Sequence, residues 1–223
     1  FSYGQIKFRG SRASRIKLSS QNPNQYWKGI KIFGNPELPS SIFNHVSISN
    51  TTLLKKNGWS INAGFFAHKI NLTMSDVLIE NNNCEDAINI VNSKFTIRDI
   101  SIENAISDAI DSDFSNGTII GGSFSDIGYI GGGDALDFSG SQVLLEDLLV
   151  TNTFHNSSKK KNKIETFIHD QLQNAENNNK TNDFKHKTKK TVICLNSKNR
   201  IKNDPIIYID NSKLFFNKQK HEF

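Results

Sequence analysis

The segment Val77-Leu-Ile-Glu-Asn81 is a short apolar strand that ends in asparagine, and the chain repeats this arrangement four more times. The other copies are Val46-Ser-Ile-Ser-Asn50, Ile100-Ser-Ile-Glu-Asn104, Phe124-Ser-Asp-Ile-Gly128 and Leu148-Leu-Val-Thr-Asn152. Their last residues lie 31, 23, 24 and 24 positions apart. A period in the twenties is typical of stacked supersecondary units, so the pattern predicts a solenoid and not a single globular core.

The last residue of each copy is asparagine or glycine, and both residues tolerate a positive φ angle. We therefore expect a left-handed corner at the same point of each coil. The asparagine amides are predicted to stack along the solenoid axis.

Two further strand-like segments follow in each coil. The second strands are Gly64-Phe-Phe66, Ala87-Ile-Asn-Ile90, Ala109-Ile-Asp-Ser112 and Ala135-Leu-Asp-Phe138, and the third include Lys94-Phe-Thr-Ile-Arg98, Thr118-Ile-Ile120 and Gln142-Val-Leu-Leu145. Three strands in about 22–24 residues predict an all-β fold, a right-handed single-stranded parallel β-helix. We expect it to span residues 1–153, with entry coils over 1–35 and the clear repeat over 36–153.

Charge divides the chain at the end of this repeat. Residues 1–153 hold 12 Lys and Arg against 15 Asp and Glu, whereas residues 154–223 hold 15 against 7. Residues 154–190 form a Lys- and Asn-rich excursion whose apolar spacing over 164–172 fits one helix. Residues 191–223 contain strand-like runs, which are either irregular terminal strands or a degenerate tail. The basic balance belongs to this segment, so we expect no specific nucleic-acid binding.

Two further classes of protein are disfavoured by composition. Cys84 and Cys194 lie far apart in the sequence, so a disulfide framework does not hold this fold. No apolar run is long enough to predict a membrane span.

The second strand carries a repeated tetrad: Asp86-Ala-Ile-Asn89, Asp108-Ala-Ile-Asp111 and Asp134-Ala-Leu-Asp137. Alternation along a strand predicts that Ile88, Ile110 and Leu136 point inward as an apolar stack. Ala87, Ala109 and Ala135 are then expected on the outer side as a shallow, flat surface. The same surface is predicted to hold Asn89, Asp111, Asp113 and Asp137, which we call the acidic face.

Stacked carboxylates need a compensating arrangement. Rungs are about 4.8 Å apart, and two carboxylates at that distance repel by about 1 kcal/mol in water and several times more when partly buried. Such acids must face water, bind a cation or hold a proton. Oxygen-only ligands favour Ca²⁺, and the predicted ligands are Asp108, Asp111, Asp134 and Asp137.

Roles other than metal binding are open for the same residues. Asn89, Asp111 and Asp137 are candidate sugar-binding residues, and Asp111, Asp113 and Asp137 are the candidates for acid–base catalysis. Alternatively, the outward side chains form a simple solvated surface. Asp86, Asp108 and Asp134 stand at turns, where an aspartate commonly accepts hydrogen bonds from nearby backbone N–H groups.

The coil period, the Asn corners and the Asp-Ala-Ile tetrads over about residues 25–153 resemble the right-handed parallel β-helix proteins of the pectate-lyase-like superfamily. The closest resemblance is to bacterial members of unassigned activity. It implies a carbohydrate-facing groove, because members of the superfamily are mostly polysaccharide lyases, hydrolases and epimerases. The catalytic His-Gly pair and Arg-Ile-Lys motif of such enzymes are not found in the matching context.

The residues and the resemblance lead to three hypotheses. The first is a carbohydrate-binding or surface-interaction scaffold, extracellular or in the cell envelope, whose acidic strand face binds Ca²⁺ and whose partner is a polysaccharide or cell-surface glycan. The second is a lyase or glycoside hydrolase acting on acidic polysaccharide. The third is a non-functional remnant of a larger β-helix protein.

Overall fold

The protein is a parallel β-solenoid. The computed structural model describes residues 1–130 and 132–153, together with two short strands at 207–209 and 214–217. Within these residues there is no helix. The predicted all-β solenoid is confirmed.

Seventeen strands form the described part of the chain. In chain order they are β1 (Ser2–Tyr3), β2 (Lys7–Arg9), β3 (Ile16–Leu18), β4 (Ile30–Phe33), β5 (Ser41–Thr52), β6 (Leu54–Lys56), β7 (Trp59–Ile61), β8 (Ala63–His68), β9 (Asn71–Asn83), β10 (Asp86–Val91), β11 (Lys94–Ala105), β12 (Asp108–Asp113), β13 (Asn116–Ile127), β14 (Leu136–Ser139), β15 (Gln142–Thr153), β16 (Ile207–Ile209) and β17 (Leu214–Asn217).

Two sheets build the solenoid. The first has six parallel strands in the order β1-β4-β8-β10-β12-β14. The second runs β16-β15-β13-β11-β9-β5-β2, with β3 also on β5 and β17 also on β15. Each long strand of the second sheet bends at a residue of positive φ, so that it supplies two of the three predicted strand segments of a coil. These residues are His45, Asp76, Asp99, Gly121 and Asp147.

A second column of left-handed corners lies where the sequence predicts one, with one correction. Asn50, Asn81, Asn104 and Asn152 have φ angles of 52–57°. In the remaining coil, the register pairs Ile102 with Phe124 and Ala105 with Ile127. The equivalent of Asn104 is therefore Asp126, which has φ 55°, and not Gly128. Aspartate, like asparagine, tolerates this conformation. The pattern of apolar residues alone therefore predicted that corner two residues too late.

The first interval of the repeat is longer than the others because a hairpin is inserted into that coil. β6 and β7 pair antiparallel outside the solenoid sheets. Asn57 and Gly58 connect them and both have positive φ. Asn-Gly is the preferred pair for a two-residue hairpin turn, which explains why the chain reverses there.

The core is built from aliphatic residues stacked in register. Val46, Val77 and Ile100 lie above one another and are buried. In the first sheet the predicted stack of Ile88, Ile110 and Leu136 is in register, with the two isoleucines fully buried and Leu136 half-buried. Burying each isoleucine contributes roughly 1.5–3 kcal/mol to stability.

Antiparallel strands follow the parallel ladder at its C-terminal end. β16 pairs with Leu148–Val150 and β17 with Gln142–Leu145, both in the antiparallel sense. The predicted excursion over 154–190, its helix over 164–172 and the rest of the 191–223 segment lie outside the described residues. No helix in the described part of the chain has the length and apolar character needed to cross a membrane.

Candidate functional site

The register of the first sheet brings the repeated tetrads together. Asp86 pairs with Asp108, and Asn89 pairs with Asp111. Asp111 in turn pairs with Asp137 in the next rung. The predicted acidic face is therefore a column of polar side chains on three adjacent strands.

Asn89 connects two aspartates of adjacent coils. Its Nδ2 donates one hydrogen bond to Oδ2 of Asp86 and another to Oδ2 of Asp111, each at 2.9 Å. The Oδ1 atom of Asn89 is buried and has no hydrogen-bond partner among the described residues. The amide thus acts as a donor toward the acids, while its acceptor atom is left without a donor.

The bond between Asp86 and Asn89 shows that strict alternation fails at the start of β10. Residues three apart in a regular strand point to opposite sides, yet these two side chains meet. Ala87 and Ile88, which lie between them, are both fully buried. Ala109 and Ala135 are buried as well. The prediction that the alanines form an open, flat surface is therefore wrong, and the polar side chains alone define this face.

Asp108 binds backbone, but across coils and not within its own turn. Its Oδ1 accepts a hydrogen bond of 2.6 Å from the backbone N–H of Asp134. The neighbouring backbone bond from Ala109 N–H to the Asp134 carbonyl continues the same contact. A structural role at the turn, one of the two predicted for this residue, is thus supported, and the bond connects adjacent coils.

Two aspartates of the site hold their protons more strongly than usual. Burial raises the pKa of Asp111 to about 8, and the carboxylates of Asp86, Asp113, Asp137 and Asp108 add to the effect. Burial also raises the pKa of Asp86 to about 7, although the hydrogen bond from Asn89 acts in the opposite direction. Protonation, one of the three predicted responses to stacked acids, is therefore favoured for Asp86 and Asp111.

The predicted Ca²⁺ ligands all belong to the described part of the chain. No group of three or more His, Cys, Asp or Glu side chains in that part of the chain is placed to hold an ion. The Ca²⁺ site at Asp108, Asp111, Asp134 and Asp137 stays a prediction.

Aromatic residues that the tetrad pattern does not include share the columns of the acidic face. Phe66 pairs with Asn89 and His68 pairs with Val91, which pairs with Asp113. The signal in the sequence is the segment Ala63-Gly-Phe-Phe66, which occupies the tetrad position of the preceding coil, with His68 two residues further on. Aligning that coil on its second strand would have placed these rings beside the acids.

A second group of polar residues lies on a different face. The guanidinium of Arg15 bonds the carboxylate of Asp76 and its backbone oxygen, the latter at 2.8 Å. Nδ1 of His45 lies 2.6 Å from the other carboxylate oxygen. These bonds lower the pKa of Asp76, the contact with Arg15 most of all. The arrangement joins an entry coil to two corners and has the character of a structural ion pair.

No protein-family model matches this chain, and neither a curated protein nor a solved structure is significantly similar to it. The chain is therefore assigned to a fold, the parallel β-solenoid, and not to a family. The chemistry of the acidic face is what bears on its function.

Proposed function

We propose that the protein is a β-solenoid scaffold that binds carbohydrate on the outer side of its six-stranded sheet. The observation that carries the proposal is the in-register column of Asn89, Asp111 and Asp137. Amide and carboxyl groups repeated at about 4.8 Å suit an extended polymer with hydroxyl groups at regular intervals. Such a ligand also fits the resemblance to carbohydrate-active β-helix proteins.

Protonation widens what this face can recognise. A carboxyl group that keeps its proton donates one hydrogen bond and accepts others, whereas a carboxylate only accepts. With a pKa of about 8, Asp111 is mainly protonated at pH 7. It can then pair with a sugar hydroxyl in either direction, while the Asn89 amide holds Asp111 in place through its Nδ2 bond.

Binding is tested with a panel of soluble neutral, cationic and anionic polysaccharides, by affinity electrophoresis. We expect retardation by at least one polymer and its loss in the double variant Asp111→Ala, Asp137→Ala, which removes the hydrogen-bonding groups as well as the charge. The control is Asp99→Asn, which changes an exposed acid at a left-handed corner of another face. No retardation with any polymer, or equal retardation of the double variant, would contradict the proposal.

A second candidate is hydrolysis of a polysaccharide by two carboxyl groups. The observation that favours it is the raised pKa of Asp111 beside Asp137, since a glycosidase needs one protonated and one ionised carboxyl. Rungs about 4.8 Å apart are close to the roughly 5–5.5 Å between the carboxyls of retaining enzymes. Lyase action on acidic polysaccharide is less favoured, because an anionic polymer would be repelled by the acids of this face.

Product analysis separates the two candidates. New reducing ends that disappear in Asp111→Asn would support hydrolysis, and unsaturated products would indicate lyase chemistry. Binding without either product would leave the scaffold as the function and exclude cleavage of the polymers tested.

A further inference from the structure

Aromatic rings occupy the outer side of the six-stranded sheet before the acidic face begins. The ring centroids of Tyr3 and Phe33 are 5.6 Å apart with an interplanar angle of 27°, and those of Phe33 and Phe66 are 5.5 Å apart. Phe66 and His68 are stacked at 6.4 Å and 14°. We call Tyr3, Phe33, Phe66 and His68 the aromatic row.

The aromatic row and the acidic face form one continuous surface. One column of paired residues runs from Phe66 through Asn89 and Asp111 to Asp137. The neighbouring column contains Tyr3, Phe33, His68, Val91, Asp113 and Ser139. Because both columns follow the solenoid axis, a ligand that contacts the rings at one end meets the acids at the other.

The aromatic row is open to solvent. Tyr3 is 84% exposed, while Phe33, Phe66 and His68 are half-buried and form the surface beneath it. Burial lowers the pKa of His68, with a smaller effect of Lys69, and so favours the uncharged form of this ring. The hairpin extends the same surface, since the rings of Trp59 and Phe1 meet at 5.7 Å and Phe1 lies 6.0 Å from Phe33.

Another aromatic ring borders the acids at the C-terminal end of β12. Phe114 follows Asp113, is 46% exposed and has φ 49°, a strained conformation for a bulky residue. Its ring lies over Gly140 of the next coil, where an added Cβ would come within 2.7 Å of it. The acidic face therefore has exposed aromatic carbon beside it in the preceding coils and at the C-terminal end of β12.

We propose that this surface binds an extended polysaccharide with protonated amino groups, stacking sugar rings on Phe33 and Phe66 and placing ammonium groups against Asp111 and Asp137. The inference rests on the proposed carbohydrate-binding function and specifies its ligand. Aromatic rings pack against the apolar C–H face of a pyranose. Rungs at about 4.8 Å are close to the length of one extended sugar unit, so successive units can meet successive coils.

Charge complementarity selects an amino sugar over other polymers. Asp111 and Asp137 are paired in adjacent coils, and the carboxylates of Asp86, Asp113, Asp137 and Asp108 add to the effect of burial in raising the pKa of Asp111. An ammonium group bound there would take the place of the proton that Asp111 holds and would compensate the neighbouring acids. The faces of aromatic rings also attract cations, so both halves of the surface favour an ammonium group. An anionic polymer such as a polyuronate would meet repulsion from the same acids.

Isothermal titration with three oligosaccharides of equal length tests this proposal. They are a β-1,4-linked glucosamine hexamer, its fully N-acetylated counterpart and a galacturonate hexamer. We expect the glucosamine hexamer to bind at least about tenfold more tightly than either of the others at pH 6.

Variants then assign the binding to the two halves of the surface. Phe66→Leu keeps an apolar contact with Phe33 but removes the ring, and it should weaken glucosamine binding by about tenfold. Asp111→Asn with Asp137→Asn should do the same while leaving binding of the acetylated hexamer nearly unchanged. Tyr26→Ala, an exposed aromatic outside the row, and Asp99→Asn serve as controls and should keep wild-type affinity.

The outcomes separate this inference from the function on which it rests. If the acetylated hexamer binds as tightly as the amino form, the amino-sugar ligand is wrong while carbohydrate binding stands. If Phe66→Leu binds normally, the aromatic row is not part of the site. If none of the three hexamers binds, the amino-sugar ligand is wrong, and the polysaccharide panel decides whether carbohydrate binding falls with it.

Discussion

Asp111 and Asp76 are aspartates of the same solenoid whose surroundings shift their pKa values in opposite directions. Asp76 receives hydrogen bonds from Arg15 and His45, and its pKa is lowered. Asp111 is more buried, receives one bond from the Asn89 amide and is surrounded by other acids, so its pKa is raised to about 8. The surroundings of Asp76 therefore favour its ionised form, whereas those of Asp111 favour its protonated form.

The difference comes from what each column of the repeat contains. The column of Asp76 includes His45 in the preceding coil, and Arg15 reaches it from the turn before β3. The column of Asp111 repeats polar residues without a cation, from Asn89 to Asp137. A solenoid stacks equivalent positions, so a column of like groups accumulates repulsion in the charged state, and only a partner from outside the column relieves it.

The largest effect we expect is a loss of stability with rising pH, caused by the acidic face. Because the folded-state pKa values of Asp86 and Asp111 are raised, their contribution is fully present below pH 4 and is lost as pH rises through about 7–8. We expect the Tm to fall by about 10 °C between pH 5 and pH 9, which corresponds to several kcal/mol. Thermal melts followed by circular dichroism measure this.

The double variant Asp86→Asn, Asp111→Asn checks the origin of that loss. Neither asparagine can ionise, so the Tm of the variant should change much less over the same range and exceed that of the wild type at pH 9. A variant that loses as much stability as the wild type would show that the loss arises elsewhere.

Removing the charge of Asp76 should lower stability, whereas removing the charges of Asp86 and Asp111 should raise it at high pH. The effect at Asp76 should also be smaller. Asp76→Asn keeps a residue that tolerates φ 52° but loses the ion pair with Arg15. Since the side chain of Asp76 is 35% exposed, we expect a cost of about 1–2 kcal/mol at pH 7. The lowered pKa means that this difference should shrink as pH falls below the ordinary aspartate value near 4. Urea unfolding at pH 7 and at pH 2.5 measures it, and a cost as large at pH 2.5 as at pH 7 would exclude the ion pair as its source.

The smallest effect expected is that of Arg15→Lys. The ammonium keeps the charge but cannot reach the carboxylate, the Asp76 carbonyl and the Val46 carbonyl together, as the guanidinium does. We expect a loss of about 0.5 kcal/mol at low salt, reduced further at 1 M salt. Urea unfolding at the two salt concentrations provides the comparison, and a loss that does not depend on salt would indicate packing by the arginine stem.

The strand repeat predicted the fold because each coil buries the same positions and turns on residues that accept positive φ. The repeat did not predict the corner at Asp126. Aspartate adopts the left-handed conformation there as asparagine does in the other coils, and the apolar residues of this coil are spaced differently around it. In the candidate site, the spacing of the tetrads predicted that Asn89, Asp111 and Asp137 align. It did not predict the burial of Ala87 or the Asp86–Asn89 bond, because both depend on a local departure from alternation. Phe66 was missed because it differs in type from the tetrad residue Asn89 whose position it shares. Tyr3, Phe33 and His68 were missed because they lie in the neighbouring column, which the tetrad does not include.

The most direct test of the account is the titration of the Asp111 carboxyl group by carbon NMR, with Asp76 in the same sample as the internal comparison. The account predicts a midpoint near pH 8 for Asp111 and a midpoint below the ordinary value near 4 for Asp76. A midpoint near pH 4 for Asp111 would contradict it, because the acidic face would then be an open, solvated surface and not a protonated, partly buried column.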